Sequence, residues 1–112
     1  MKLKFPKTIQ INDITFKVIT DPEWEGASLT YWDKDKKGNA TLGNIKIGTY
    51  LLKTNPFSVL SLIIHELKEI IQIEQGTRYH KPSDESYEFH YNHKEHQAIC
   101  SQLGGLLKEF IK

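Results

Sequence analysis

The sequence predicts a small α+β domain, in which a β-sheet of about three strands, antiparallel or mixed, precedes two packed helices. In the first half of the chain apolar and polar residues alternate, as in strands with one buried face. Two later segments instead repeat apolar residues at helical spacing. With 112 residues the chain is long enough for one modest core, so we expect a single domain over 1–112.

The strands are predicted between residues 8 and 50. Residues 8–19 alternate in the β manner, and Asn12 with Asp13 indicates a tight turn or a bulge within this segment. Residues 29–32 and 41–50 lie on either side of a charged turn, which is typical of a β-hairpin. We therefore expect the sheet to be complete before the first helix begins.

Capping residues indicate where the two helices begin. Asn55 followed by Pro56 favours a helix start, and Gly76 favours its end. Asn92 and Glu95 form the pattern of a capping box, so a second helix is predicted from that point. Its predicted apolar stripe consists of Ile99, Cys100, Leu103, Leu106, Leu107 and Phe110. The segment between the helices, residues 77–91, is expected to be an irregular loop.

Bulk composition excludes several classes of protein. A formal net charge of +1 argues against a nucleic-acid partner, which usually requires a basic stripe. No apolar run approaches the ~20 residues of a membrane span, so we expect no membrane partner. Pro6 interrupts the basic start, which argues against a signal peptide. A single cysteine, Cys100, favours a reducing compartment, and we expect a cytoplasmic protein.

The most informative motif is His65-Glu66-Leu67-Lys68-Glu69, within the first predicted helix. It differs from the zinc-binding pattern H-E-x-x-H in one position, where Glu69 replaces the second histidine. Residues four apart share a helix face, so His65 and Glu69 can converge on one ion. Glu66 lies beside the core, where a carboxylate is costly unless it is paired or close to a metal. The competing interpretations are a solvated polar pair for His65 and Glu69, and a salt bridge for Glu66.

A third metal ligand is expected from the second helix. His93 and His96 fall in its first turn, and the phase of the apolar stripe favours His96, although His93 stays open. His65, Glu69 and one of these two would give two imidazoles and one carboxylate, a set that suits Zn²⁺ or another divalent ion. A water could then take the fourth position, with Glu66 as the general base that accepts its proton.

With these residues the chain resembles the minimal zincins, in particular the small metallopeptidases encoded by phages and prophages. The resemblance covers roughly residues 40–110: an edge strand at 44–47, a helix with the core Ile64-His65-Glu66-Leu67, and a later helix at 92–99 that carries the third ligand. It implies a zinc-dependent hydrolase, most naturally a peptidase, in the cytoplasm of a bacterial host. The family has histidine where this chain has Glu69.

This interpretation also predicts where a substrate would bind. If residues 41–47 form the edge of the sheet, they would pair with an extended peptide or protein substrate, with the loop 77–91 as the opposite wall. The alternative is a non-catalytic phage or prophage accessory protein, a binding or structural module on a degenerate zincin scaffold. A carboxylate-rich two-metal site using Glu66 and Glu69 is disfavoured, because few further carboxylates lie at helical spacing. The sequence makes no prediction of oligomeric state.

Overall fold

The computed structural model of the protein describes residues 2–34, 40–74, 78–80, 87–89 and 93–112. The elements in chain order are β1 (Thr8–Ile11), β2 (Ile14–Asp21), β3 (Ala27–Lys34), β4 (Ala40–Gly48), α1 (Pro56–Glu74), β5 (Arg78–His80), β6 (Tyr87–Phe89) and α2 (His93–Leu107), with a final 3-10 turn at Lys108–Phe110. The predicted α+β class, a sheet followed by two helices, is confirmed.

The main sheet has four strands in the order β1-β2-β4-β3. β1 pairs with β2, and β3 with β4, in antiparallel fashion, and the second pair confirms the predicted hairpin. β2 and β4 are parallel, with Thr15 opposite Leu42 and Asp21 opposite Gly48. The sheet is therefore mixed, and it contains one strand more than the predicted number.

The turn between β1 and β2 depends on Asn12. This residue has a φ of 54°, in the left-handed region that asparagine tolerates better than most residues. Its position lets Ile11 pair with Ile14 across a two-residue turn. The prediction of a tight turn at Asn12 and Asp13 is confirmed.

The prediction that residues 41–47 form a sheet edge is wrong. β4 contains this segment and lies between β2 and β3, so both of its backbone edges are already hydrogen-bonded. The outer strands of the sheet are β1 and β3. The sequence of a hairpin does not show which of its two strands will pair with a further strand of the sheet. Here β4 pairs in parallel with β2, so β4 is a central strand and β3 is an edge strand.

Alternate residues of the strands build the core. Isoleucines and Phe16 on one face of the sheet pack against the apolar face of α1 and against Phe110. The fully enclosed members of this cluster are Ile11, Phe16, Ile45, Ile47, Val59, Ile63, Leu67, Ile70 and Phe110. The opposite face of the same strands carries exposed residues such as Lys17, Ile19 and Leu42, which is the alternation expected of a half-buried sheet.

α1 begins at Pro56 as predicted, and the backbone N–H of Ser58 donates to the carbonyl oxygen of Asn55. Its final turns differ from a simple amphipathic helix, because Ile70, Ile71 and Gln72 are buried in succession. The predicted polar side of α1 is therefore open to solvent around its middle and covered near its C-terminal end. α1 contacts β3, β4, β5 and α2.

The interhelical segment contains more structure than predicted. β5 and β6 pair in antiparallel fashion, so the expectation of an irregular loop is wrong for 78–80 and 87–89. The predicted helix stop at Gly76 and cap at Asn92 lie outside the described residues. α2 nevertheless starts at His93, directly after the predicted cap.

The predicted stripe of α2 is confirmed in part. Ile99 is buried, and Leu103, Leu106 and Leu107 pack against the core cluster. Cys100, which we expected on this stripe, is exposed. A one-residue rotation of ~100° about the helix axis separates it from Ile99, which places the thiol beyond the edge of the buried face.

Among the described residues, no helix is both long enough and apolar enough to cross a bilayer.

Candidate metal centre

The middle of α1 brings His65 and Glu69 together. They are four residues apart on an uninterrupted helix, and the Nε2 atom of His65 lies 3.4 Å from Oε2 of Glu69. Helical spacing alone accounts for this contact, because side chains at i and i+4 lie one above the other. The contact is expected both of two ligands of one ion and of a solvated polar pair.

Glu66 completes a compact group of three side chains. One ligand atom from each of His65, Glu66 and Glu69 lies within 4.8 Å of the other two. The side chain of Glu66 is only 5% exposed and lies among the buried residues of α1, as the helical wheel predicts. It has an interaction partner, as a buried carboxylate requires. The convergence of three ligand atoms, and not burial alone, therefore identifies this group as a candidate metal site.

The three side chains differ strongly in access to solvent. The His65 side chain is 70% exposed, whereas that of Glu69 is 21% exposed and Glu66 is buried. Solvent exposure therefore decreases across the group, from the exposed imidazole of His65 to the buried carboxyl group of Glu66. An ion entering from solvent would meet the imidazole first and the buried carboxylate last.

The spacing of His65 and Glu69 is compatible with a shared ion. Two atoms that each lie about 2.1 Å from a tetrahedral zinc ion are about 3.4 Å apart, and the observed separation is 3.4 Å. A weak ion pair between the two side chains has the same length, so the distance permits a metal without requiring one. The limit of 4.8 Å for Glu66 is compatible with a ligand or with a base one water away.

The histidines predicted to supply a third ligand are not part of this group. His93 and His96 are both exposed in the first turns of α2, and neither belongs to the metal-capable cluster found within the described residues. Nε2 of His96 lies 3.7 Å from Sγ of Cys100, one turn along the same helix. His96 is exposed, so the expectation that it points inward is wrong. By helical phase it lies on the same side as Leu103 and Leu107, but that side of α2 is open to solvent in the first turns of the helix.

Sequence reasoning favoured a general-base role for Glu66 and disfavoured its use as a ligand in a two-metal site. Its place within 4.8 Å of both other side chains also makes it a candidate ligand. The signal was present in the sequence, since adjacent residues His65 and Glu66 are both near Glu69 on a helix. A group of one imidazole and two carboxylates follows, where we predicted two imidazoles and one carboxylate.

Comparisons with known proteins identify no matching protein-family model, no similar curated protein and no similar solved structure. The resemblance to the minimal zincins therefore depends on the His65-Glu66-Leu67 motif and the order of the elements, and the chain is assigned to no family.

Proposed function

We propose that this protein is a divalent-metal-dependent hydrolase that acts on peptide bonds in the cytoplasm. The observation that carries the proposal is the convergence of ligand atoms from His65, Glu66 and Glu69 in the middle of α1. In this proposal His65 and Glu69 hold the ion, and Glu66 is the general base.

The roles follow from the position of each side chain. His65 and Glu69 share a face and are 3.4 Å apart, so they can bind one ion without a change in the helix. Glu66 is fixed by burial, and a base must be held in place to accept a proton efficiently. A divalent ion bound here would supply Lewis-acid polarisation of a carbonyl and would favour ionisation of water at neutral pH.

The ligand set also bears on which ion is bound. Zn²⁺ accepts histidine and carboxylate ligands, and carboxylate-rich sets also suit harder ions such as Mn²⁺. One imidazole and one carboxylate, with the carboxyl group of Glu66 beside them, form a more oxygen-rich group than the family pattern of two histidines. We therefore include Zn²⁺ and Mn²⁺ as candidate ions.

The test is hydrolysis by a base-deficient variant. Tag-free protein supplied with Zn²⁺ or Mn²⁺ is incubated with a mixture of unstructured peptides, and cleavage products are identified by mass spectrometry. Wild type should cleave, and Glu66→Gln should lower the rate at least ~100-fold while retaining the ion. Lys68→Gln, which changes a neighbour outside the group, should leave cleavage intact. Cleavage by Glu66→Gln at the wild-type rate would refute the role of Glu66.

A second function is favoured by a specific observation. His93 and His96 lie outside the metal-capable group, so within the described residues no ligand from a second element joins α1. A non-catalytic binding or structural protein, such as a phage accessory module on a degenerate scaffold, would not need a metal ligand from a second element. Wild-type protein that binds the ion but cleaves no peptide in the mixture would favour this alternative.

A further inference from the structure

A surface depression beside the first turn of α1 is lined by three lysines. The depression is lined by Lys2, Leu3, Leu52, Lys53, Pro56 and Lys112, and its volume is about 340 Å³. That volume is at the lower end of the range for small-molecule sites. The side chains that line it include three ammonium groups and no carboxylate, although the chain as a whole carries a net charge of only +1.

Backbone contacts hold two of these lysines side by side. Leu3 and Ile111 form a bridge between the two ends of the chain, and the N–H of Lys112 donates to the carbonyl oxygen of Lys2 at 3.0 Å. The N–H of Lys4 donates to the carbonyl oxygen of Phe110 at 2.8 Å. The two ammonium groups are thus anchored to a fixed backbone although their side chains are exposed.

The third lysine comes from the turn that leads into α1. Lys53 lies within a segment closed by hydrogen bonds from Leu52 N–H to Thr49 and from Asn55 N–H to Leu51, at 3.0 and 2.7 Å. The first turn of α1 contains no acidic residue. The positive end of the helix dipole therefore adds to the lysine charges at this point and is not neutralised by a carboxylate of that turn.

From the concave shape and the unbalanced positive charge, we propose that this depression binds a small soluble ligand carrying a chain of phosphate groups. Each ammonium group provides donors and no acceptor, so several lysines around one cavity match a ligand that is rich in anionic oxygens. Leu3, Leu52 and Pro56 supply an apolar floor. The site is distinct from the candidate metal centre, because Pro56 and His65 are nine positions apart, about 14 Å along the helix axis.

The test is a calorimetric titration of the full chain, stripped of divalent ions by a chelator, with inorganic tripolyphosphate. At low ionic strength the wild type should bind with a Kd below about 1 mM, and binding should weaken as salt is raised to about 0.15 M. Lys53→Gln and Lys112→Gln should each lower the affinity about tenfold. Lys94→Gln, an equal charge change on an exposed lysine at the far end of α2, should leave it unchanged.

Three results would overturn the proposal. The first is the absence of tripolyphosphate binding, and the second is an equal loss of affinity in Lys94→Gln and Lys53→Gln. The third concerns the source of the phosphate: co-sedimentation with phosphatidylserine vesicles that depends on Lys53, without binding of tripolyphosphate, would assign the surface to a membrane. All three lysines are exposed, so the variants should fold, and unchanged circular dichroism would verify this.

Discussion

Folding changes the pKa of Glu74, the last residue of α1. Partial burial raises the pKa of its carboxyl, and a hydrogen bond with the side chain of Asn12 offsets part of that rise. The negative end of the helix dipole is at the same terminus and also disfavours a carboxylate. Because Glu74 retains contact with solvent, the effect on stability should be small.

Glu74→Gln should therefore change the pH dependence of stability. A raised pKa in the folded state means that the protonated form favours folding, fully below the unfolded pKa, and that this contribution is lost as pH rises through the folded-state pKa. Glutamine stays neutral throughout. We expect the variant to unfold at higher urea concentration than wild type at about pH 7, and at the same concentration near pH 3. A variant less stable than wild type at neutral pH would contradict this account.

Individual residues also show what the sequence could predict about the site. His65 and Glu69 were correctly paired because both lie on one helix, where spacing fixes their relation. His96 and Cys100 were misplaced because the sequence of α2 does not show how far the core covers the helix, either along its axis at His96 or around its circumference at Cys100. The buried position of Glu66 was predictable, since the wheel of α1 places it beside Ile70.

At the scale of elements, the segment between β2 and β3 is fixed by its contact with Gly48. The N–H of Gly48 donates to the carbonyl oxygen of Gly26 at 2.7 Å, and that of Tyr50 donates to Trp24 at 3.2 Å. A Cβ atom at Gly48 would lie 2.1 Å from the backbone oxygen of Trp24. The end of β4 can therefore approach this segment only without a side chain at Gly48.

Two glycine-to-alanine substitutions should have opposite effects. Gly48→Ala forces the backbone apart and should lower the free energy of unfolding by about 1–3 kcal/mol. Gly104 lies within α2, and a Cβ atom there meets nothing within 4 Å, so Gly104→Ala should raise the free energy of unfolding by up to ~1 kcal/mol through helix propensity. Urea titration of both variants measures these changes. Stabilisation by Gly48→Ala would mean that the segment does not lie against β4.

The elements differ in how far their sequences predict them. α1 was predicted correctly at its start, because Asn55 and Pro56 favour one conformation locally. The four-stranded order was not predictable, since the parallel pairing of β2 with β4 joins segments far apart in the chain. A Cβ atom at Gly104 or Gly105 would meet nothing within 4 Å, so packing against a neighbouring element does not explain these two glycines.

At the scale of the whole molecule, the two ends of the chain close the core together. Phe110 is fully buried, and its ring meets that of Phe5 edge to face at 6.4 Å between centroids. The bridge between Leu3 and Ile111 continues this contact along the backbone. Residues far apart in the sequence therefore close this side of the core.

A matched pair of phenylalanine substitutions tests this arrangement. Phe110→Ala leaves a cavity in the core and should lower the free energy of unfolding by about 3–5 kcal/mol. Phe57 is 65% exposed and serves as the control. Phe57→Ala should change the free energy of unfolding by less than about 0.5 kcal/mol. Thermal or urea unfolding followed by circular dichroism measures both. Equal effects of the two substitutions would show that Phe110 does not lie in the core.

The central claim for the molecule is that α1 binds a divalent ion through His65 and Glu69. The most direct measurement is a calorimetric titration of tag-free, chelator-stripped protein with Zn²⁺. We predict about one bound ion per chain, at least ~10-fold weaker binding in His65→Ala and in Glu69→Gln, and unchanged binding in His93→Ala. Absence of binding to the wild type, or equal affinity of wild type and His65→Ala, would contradict the account.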